Sequence, residues 1–309
     1  MSQSLLGGIF TGSIDALSSL PTGIVEYLVV AGGGGAGGGW DGTVICNGGG
    51  GGGGVLTANG YVVAQGTTYT ITVGSGGAPG AVASDGTSGG NSVFGTGTAV
   101  YSAARSGTVT AYGGGFGGGS ARNGGTGGSG GGAGGNNVYE GGAATGIAQG
   151  FKGGGTVYGG GGGGGGAGGV GGVGSGGTNV GYGGPGLCSA ITGSQVFYAG
   201  GGGVSKYDNQ PYSSGQGTAG GGNGSNYNEP FGSTVVPATP ARPNSGGGGG
   251  AGCGSSNPPM NSTAGASGIV VVRFSSNCAP PASITGSPQI LYNNGYQIYI
   301  WTSSGTITF

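Results

Sequence analysis

The chain has 309 residues, of which 96 are glycine and 13 proline, with 4% charged residues and a formal net charge of −1. Six Lys and Arg, spread singly from Arg105 to Arg273, cannot form the basic stripe that phosphate neutralisation demands, which excludes a nucleic-acid binder. Hydrophobic residues make up 34%, much of it Ala and scattered Val, too little for an ordinary core at this length.

Collagen is excluded as well, because Gly48–Gly54 and Gly159–Gly166 are unbroken glycine, whereas a triple helix needs Gly at every third position. We read the tracts as ordered rather than as flexible linkers. Glycine loses more conformational freedom on folding than any other residue, so something other than side-chain burial must offset its ordering. Backbone hydrogen bonds remain. A polyproline-II-like helix has three residues per turn and no internal hydrogen bonds, so its N–H and C=O groups point outward. Without Cβ atoms such helices can approach closely and bond one another, which satisfies the main chain. The expected fold class is therefore all-β with irregular elements. It combines a β-sandwich-like base and a stack of polyglycine-II helices, with no α-helix outside a short N-terminal one.

In chain order, residues 1–23 carry Leu5, Leu6, Ile9, Phe10, Ile14, Leu17 and Leu20 at a loose spacing that suits a short helix or attachment arm, ended by Pro21. Their lack of a basic start and a long apolar stretch gives no expectation of a secretory signal. Residues 24–30 are β-branched and aromatic and run into Gly32 as a strand feeding the first glycine tract. Further strands are expected at 61–64 and 68–73, where Tyr69, Ile71 and Val73 alternate with threonines. Residues 74–268 read as the glycine body. Its inserts around Tyr139, Phe151, Tyr158, Phe197, Tyr207, Tyr212 and Tyr227 read as turns between glycine helices, and Pro237, Pro240 and Pro243 as a rigid loop. A strand follows at 269–274, then a C-terminal β module over 275–309 with a run at 289–301, a turn at Ser303-Ser304-Gly305 and a last strand at 306–309. The expected domains are thus an arm at 1–23, a glycine-rich domain at 24–274 and the module at 275–309.

Several patterns look chemical. Gly-x-Gly-x-x-Gly strings recur because a third of the residues are Gly, and no strand-and-helix context surrounds them. The carboxylates Asp15, Glu26, Asp41, Asp85, Glu140, Asp208 and Glu229 are scattered, whereas glycosidase chemistry needs two that converge. Glu140 with Asp208 or Glu229 is the pairing that sequence leaves open. Cys46, Cys188, Cys253 and Cys278 are widely spaced in a chain without His, which argues against a zinc site and against thiol–imidazole catalysis. They are idle thiols or disulfide partners, and four cysteines allow three pairings. No catalytic residue, metal or cofactor is expected. The longest apolar stretch, 24–31, contains Glu26 and is too short to span a bilayer. Tyr, Ser, Gly and Asn on a rigid frame make adaptable recognition surfaces. That points to Trp40, Asp41, Tyr139, Glu140, Phe151, Lys152, Tyr207, Asp208, Tyr227 and Phe231 as candidate contact residues.

Three motifs in order carry a resemblance: Val25-Glu26-Tyr27-Leu28-Val29-Val30-Ala31 into Gly32–Gly35, Thr68–Val73 into Gly74-Ser75-Gly76-Gly77, and Gly265-Ala266-Ser267-Gly268-Ile269-Val270-Val271-Val272-Arg273-Phe274. Over about 24–274 the chain resembles the glycine-rich domain of bacteriophage tail-fibre and tail-tip proteins. Its body is similar to tip adhesins of T-even-like phages, in which packed polyglycine helices present loops to a host receptor. The resemblance implies a virion protein, made in the host cytoplasm and released by lysis. It also implies an oligomer that contacts other virion proteins through the arm and β base, and a host surface glycan or outer-membrane protein through loop tips. A non-binding virion decoration, spacer or head fibre is the alternative, and an ice-binding protein a more remote one. Residues 295–309 resemble a strand pair that in related proteins precedes the first strand, so pairing of 295–309 with 24–30, within the chain or between copies, is expected.

Overall fold

The computed structural model describes residues 22–39, 46–100, 103–135, 137–146, 148–175, 180–207, 214–227, 235–253 and 261–309. The expected N-terminal arm, up to residue 21, lies outside these. The described residues form strands and extended segments, with no helix among them.

Two sheets face each other. One has the order Gln289–Asn293, Tyr296–Trp301, Ile269–Ser275, Thr22–Val30, Val55–Ala64, and the other the order Ser283–Ile284, Gly305–Thr308, Thr68–Thr72, Ser92–Gly95, Thr108–Ala111, Ala99–Val100. The period-2 alternation of strands sends Val25, Tyr27 and Val29 inward against Tyr69, Ile71, Phe94, Val109 and Ile307, together with Val270, Val272, Tyr299 and Trp301. Leu28, Val30, Val271, Ile298 and Ile300 point the other way, onto Ile191, Tyr198 and Ala199. The middle of the first sheet is therefore buried on both faces, which is why its strands read as near-continuous apolar runs. Within the sandwich Tyr27 packs edge-on to Tyr61 at 5.7 Å between ring centres. Its hydroxyl donates to the Ala104 carbonyl at 3.0 Å and accepts from the Ala104 N–H at 2.8 Å.

The glycine tracts are continuations of these strands. Residues 31–38 follow Thr22–Val30, residues 48–54 precede Val55–Ala64, and residues 262–268 precede Ile269–Ser275. Their hydrogen bonds repeat every three residues. Gly32, Gly35 and Gly38 donate to Gly90, Thr87 and Ser84. Gly33 and Ala36 donate to Ala266 and Thr263, and Gly34 and Gly37 to Gly51 and Gly48, all at 2.8–3.2 Å. The carbonyls of the same tract accept from Gly114 and Gly117, from Gly77 and Gly80, and from Gly249. Residues 31–38 thus have six neighbouring tracts. Residues 48–54 likewise donate to 112–118, 162–165 and 246–249, and accept from 34–37, 129–132 and Gly202. A three-residue repeat with every N–H of these two tracts directed to a neighbouring segment is the polyglycine-II arrangement, here packed hexagonally.

Several expectations are corrected. Ser92–Gly95, Ala99–Val100 and Thr108–Ala111 lie within what reads as glycine body, yet they are strands of the sandwich. The strand expected at 61–64 starts at Val55. The run at 289–301 is broken at Asn294 (φ 49°) and Gly295 (φ 77°), the positive-φ pair of a type I′ hairpin turn. The strand pair of 295–309 does not join 24–30. Tyr296–Trp301 pairs with Ile269–Ser275, which lies between it and Thr22–Val30, and Gly305–Thr308 pairs with Thr68–Thr72 in the opposite sheet. The inserts at Thr156–Val157, Val196–Tyr198, Lys206–Tyr207 and Asn226–Tyr227 are short paired strands rather than simple turns.

A Cβ at Gly50 would lie 2.0 Å from the Gly34 oxygen and 2.8 Å from the Gly249 nitrogen, whereas one at Gly23 would meet only Val63 Cγ2 at 3.3 Å. Gly50→Ala should therefore cost about 3 kcal/mol or more, seen as a large fall in Tm. Gly23→Ala should leave Tm nearly unchanged. Tyr27→Phe removes both partners of Ala104 and should cost about 1–3 kcal/mol by denaturant unfolding.

Candidate functional site

Side chains are forced to the margin of the glycine lattice, and one margin gathers several of the expected contact residues. Residues 141–143, 151–155 and 171–174 are adjacent there: Gly153 donates to Gly142 at 3.0 Å and Gly171 to Lys152 at 3.0 Å. Thr156–Val157 pairs in parallel with Gly174–Ser175 and bridges to Tyr139. Thr156 locks the corner. Its N–H donates to the Tyr139 carbonyl at 2.9 Å, its Oγ1 accepts from the Tyr139 N–H at 2.9 Å and donates to the Asn137 carbonyl at 2.6 Å. Glu140 is pinned by the Asn123 Oδ1, which accepts its N–H at 2.9 Å.

These segments enclose an open cleft of about 330 Å³ lined by Val138, Tyr139, Glu140, Lys152, Thr156, Val157, Val170 and Val173 among others. Its valines are unusually bare: Val138 is 59% exposed, Val170 62% and Val173 56%. Val170 and Val173 are three residues apart, so on a three-residue helix they share one face. At the rim Lys152 Nζ lies 2.6 Å from Glu140 Oε2, with both side chains largely in solvent. The Lys152 hydrogen bond, with its positive charge, holds the Glu140 carboxyl below its ordinary pKa. The Tyr139 ring lies over Gly135, where a Cβ would meet it at 2.6 Å. That glycine is needed for the close approach.

Of the expected contact residues, the structure brings Tyr139, Glu140 and Lys152 together. Phe151 is 44% exposed but does not line the cleft. Tyr207 and Tyr227 are register partners in a parallel pair of two-residue strands, while Trp40, Asp41, Asp208 and Phe231 lie outside the described residues. Glu140 faces a lysine rather than a second carboxylate; Asp208 and Glu229 lie outside the described residues. Of the cysteines, Cys46 and Cys253 are buried and Cys188 and Cys278 exposed. Among the described residues no cluster of His, Cys, Asp or Glu is suited to a metal ion, and no helix is long and apolar enough to cross a membrane.

A family model, the glycine-rich domain, matches residues 12–275. The chain belongs to the glycine-rich domain family. No curated protein matches it. The glycine-rich domain match ends on Ser275, the last residue of the central strand Ile269–Ser275, so the strands from Ser283 onward complete both sheets from outside the matched segment.

Sequence reasoning missed Val170 and Val173, single larger side chains in a glycine tract; their three-residue spacing is the signal that marks a shared face. It also missed a second cleft of about 500 Å³ lined by Pro185, Val196, Phe197, Thr218, Ala219 and Arg242. There Phe197 is 52% exposed and Arg242 Nη2 donates to the Phe197 carbonyl at 2.6 Å, which ties its guanidinium to the wall.

The Glu140 pKa is depressed in the folded chain, so the pair's contribution is complete above the ordinary glutamate pKa and is lost as pH falls through the lowered value. Both groups are exposed, and the effect on global stability is expected to be small. In an NMR titration the Glu140 side chain should titrate below the ordinary glutamate value, and Lys152→Ala should return it there.

Proposed function

We propose that this protein is a non-enzymatic virion component, a phage tail-fibre or tail-tip adhesin, whose glycine lattice displays a contact face for a host-surface glycan or outer-membrane protein. The observation that supports it most is the row of bare valines with Tyr139 and the Glu140–Lys152 pair on a rigid margin. An apolar surface rimmed by polar groups is the usual form of an interaction site, and a tyrosine beside it adds amphipathic contact area at low entropic cost. The backbone lattice fixes that margin, which suits recognition more than turnover. Phe151, Trp40, Asp41, Tyr207, Asp208, Tyr227 and Phe231 are proposed as further contacts. In this reading the β base and the N-terminal arm face other virion proteins.

The test is binding of the labelled protein to intact cells of candidate bacterial hosts, beside a Val170→Ser, Val173→Ser, Tyr139→Ala variant of unchanged Tm. Saturable binding to one strain that weakens about tenfold or more in the variant is the expected result. Binding to no strain, with the protein found only within assembled virions, would replace this reading with a decoration or spacer.

A further inference from the structure

Among the described residues the outer strand of the first sheet, Gln289–Asn293, has a neighbour on one side only. Its hairpin partner is Tyr296–Trp301, with Asn293 opposite Tyr296, Leu291 opposite Ile298 and Gln289 opposite Ile300. A two-residue hairpin closes on a hydrogen-bonded pair, and in an antiparallel ladder bonded and non-bonded pairs then alternate. Asn293, Leu291 and Gln289 therefore direct their peptide groups inward. Ile290 and Tyr292 direct theirs to the open side. Among the described residues no backbone group outside the strands bonds to either of them.

Among the described residues this edge lacks the usual protection. Natural edges carry lysines, bulges, internal prolines or a covering segment, whereas no Asp, Glu, Lys or Arg follows Arg273 in the chain. The pairing with Tyr296–Trp301 is regular over all five residues. Ile290 is 41% exposed and Tyr292 69% exposed, so one face of the edge presents an aliphatic and an aromatic side chain to solvent.

The order of side chains identifies the occupant. Gln289-Ile290-Leu291-Tyr292-Asn293 reads amide, apolar, leucine, apolar, amide in either direction. An isologous contact about a twofold axis requires such self-complementarity. Centred on Leu291, an antiparallel copy sets Leu291 opposite Leu291, Ile290 opposite Tyr292 and Gln289 opposite Asn293. The peptide groups that face outward are then those that form the bonded pairs between copies. Each Ile290–Tyr292 pair is an aliphatic–aromatic contact of the kind that stabilises sheets. A slip by one residue would set Ile290 against Leu291 and turn their side chains to opposite faces.

We infer that two copies of the chain dimerise through Gln289–Asn293, joining their first sheets into one continuous sheet across the twofold. The inference is independent of the proposed receptor face, which lies on the glycine lattice. The experiment is sedimentation velocity on the full chain over a concentration series, beside Ile290→Lys/Tyr292→Lys with its Tm measured. A wild-type dimer lost in a folded double-lysine variant is the expected result. A monomeric wild type, or a dimer that survives both lysines, overturns the inference. Should the double variant not fold, Leu291→Cys in a Cys188→Ser/Cys278→Ser background decides. The two Leu291 positions would form a non-bonded pair with Cα atoms about 4.5 Å apart, within disulfide reach. Diamide, accepting two electrons and two protons, should link the chains through Cys at 291; no cross-link overturns the inference.

Discussion

The whole structure depends on main-chain hydrogen bonds between extended segments packed so closely that a single Cβ would overlap a neighbouring carbonyl. At Gly132 that atom would sit 1.8 Å from the Gly162 oxygen, and at Gly34 it would sit 2.1 Å from the Gly115 oxygen. Burial in this lattice is burial of peptide groups. It is acceptable because the N–H groups of tracts such as 31–38 and 48–54 each find a carbonyl on a neighbouring tract. The low apolar content follows from the same geometry, since the interior has no room for the side chains that would form a conventional core.

The sandwich supplies what the lattice lacks. Polyglycine offers no side chain to set register, and a tract slipped by three residues would keep nearly the same bonds. The strands remove that freedom. Tyr27, Phe94, Tyr61 and Trp301 are fully enclosed between the sheets and fix where Val30, Val55, Ala111 and Ile269 hand over to glycine. Gln149 acts as a polar rivet at this junction: its Oε1 accepts the Tyr112 N–H at 2.8 Å, its Nε2 donates to the Thr110 carbonyl at 3.2 Å, and its own carbonyl accepts from Val55 at 3.0 Å. Register set in the sheets is carried outward tract by tract.

How much of this was legible depended on the kind of signal. Strands rich in β-branched residues, such as 24–30 and 269–274, declare themselves by composition. The glycine helices follow from elimination, because only intertract bonding can offset the entropy of so many ordered glycines. Short strands were hidden: Ser92–Gly95 and Thr108–Ala111 sit among Gly, Ser and Thr, and tertiary pairing rather than local preference makes them strands. The hairpin at Asn294-Gly295 carried a readable turn signal within a run that looked continuous. Topology was not legible, because nothing local says that Ile269–Ser275 inserts between the first strand and the C-terminal hairpin. At the cleft, Tyr139, Glu140 and Lys152 stood out as polar or aromatic breaks in glycine. Val170 and Val173 became significant only once the helix period assigned them to one face.

The same period separates two tasks that most folds mix. In an ordinary domain a surface residue shares its helix or strand with core residues, so changes at a site propagate into packing. Here a residue on an outer tract either meets a neighbouring tract, where only glycine or another small residue fits, or faces solvent, where Val170 and Val173 show that a larger side chain is accepted. Chemistry on the margin is thus nearly free of the constraint that holds the interior. The carbonyls of segments such as 137–140 and 151–152 are held by Thr156 Oγ1 and by the N–H groups of Gly124, Gly130 and Gly171. The entropy of ordering them is already met by the fold, and a contact made by those side chains starts from a fixed frame.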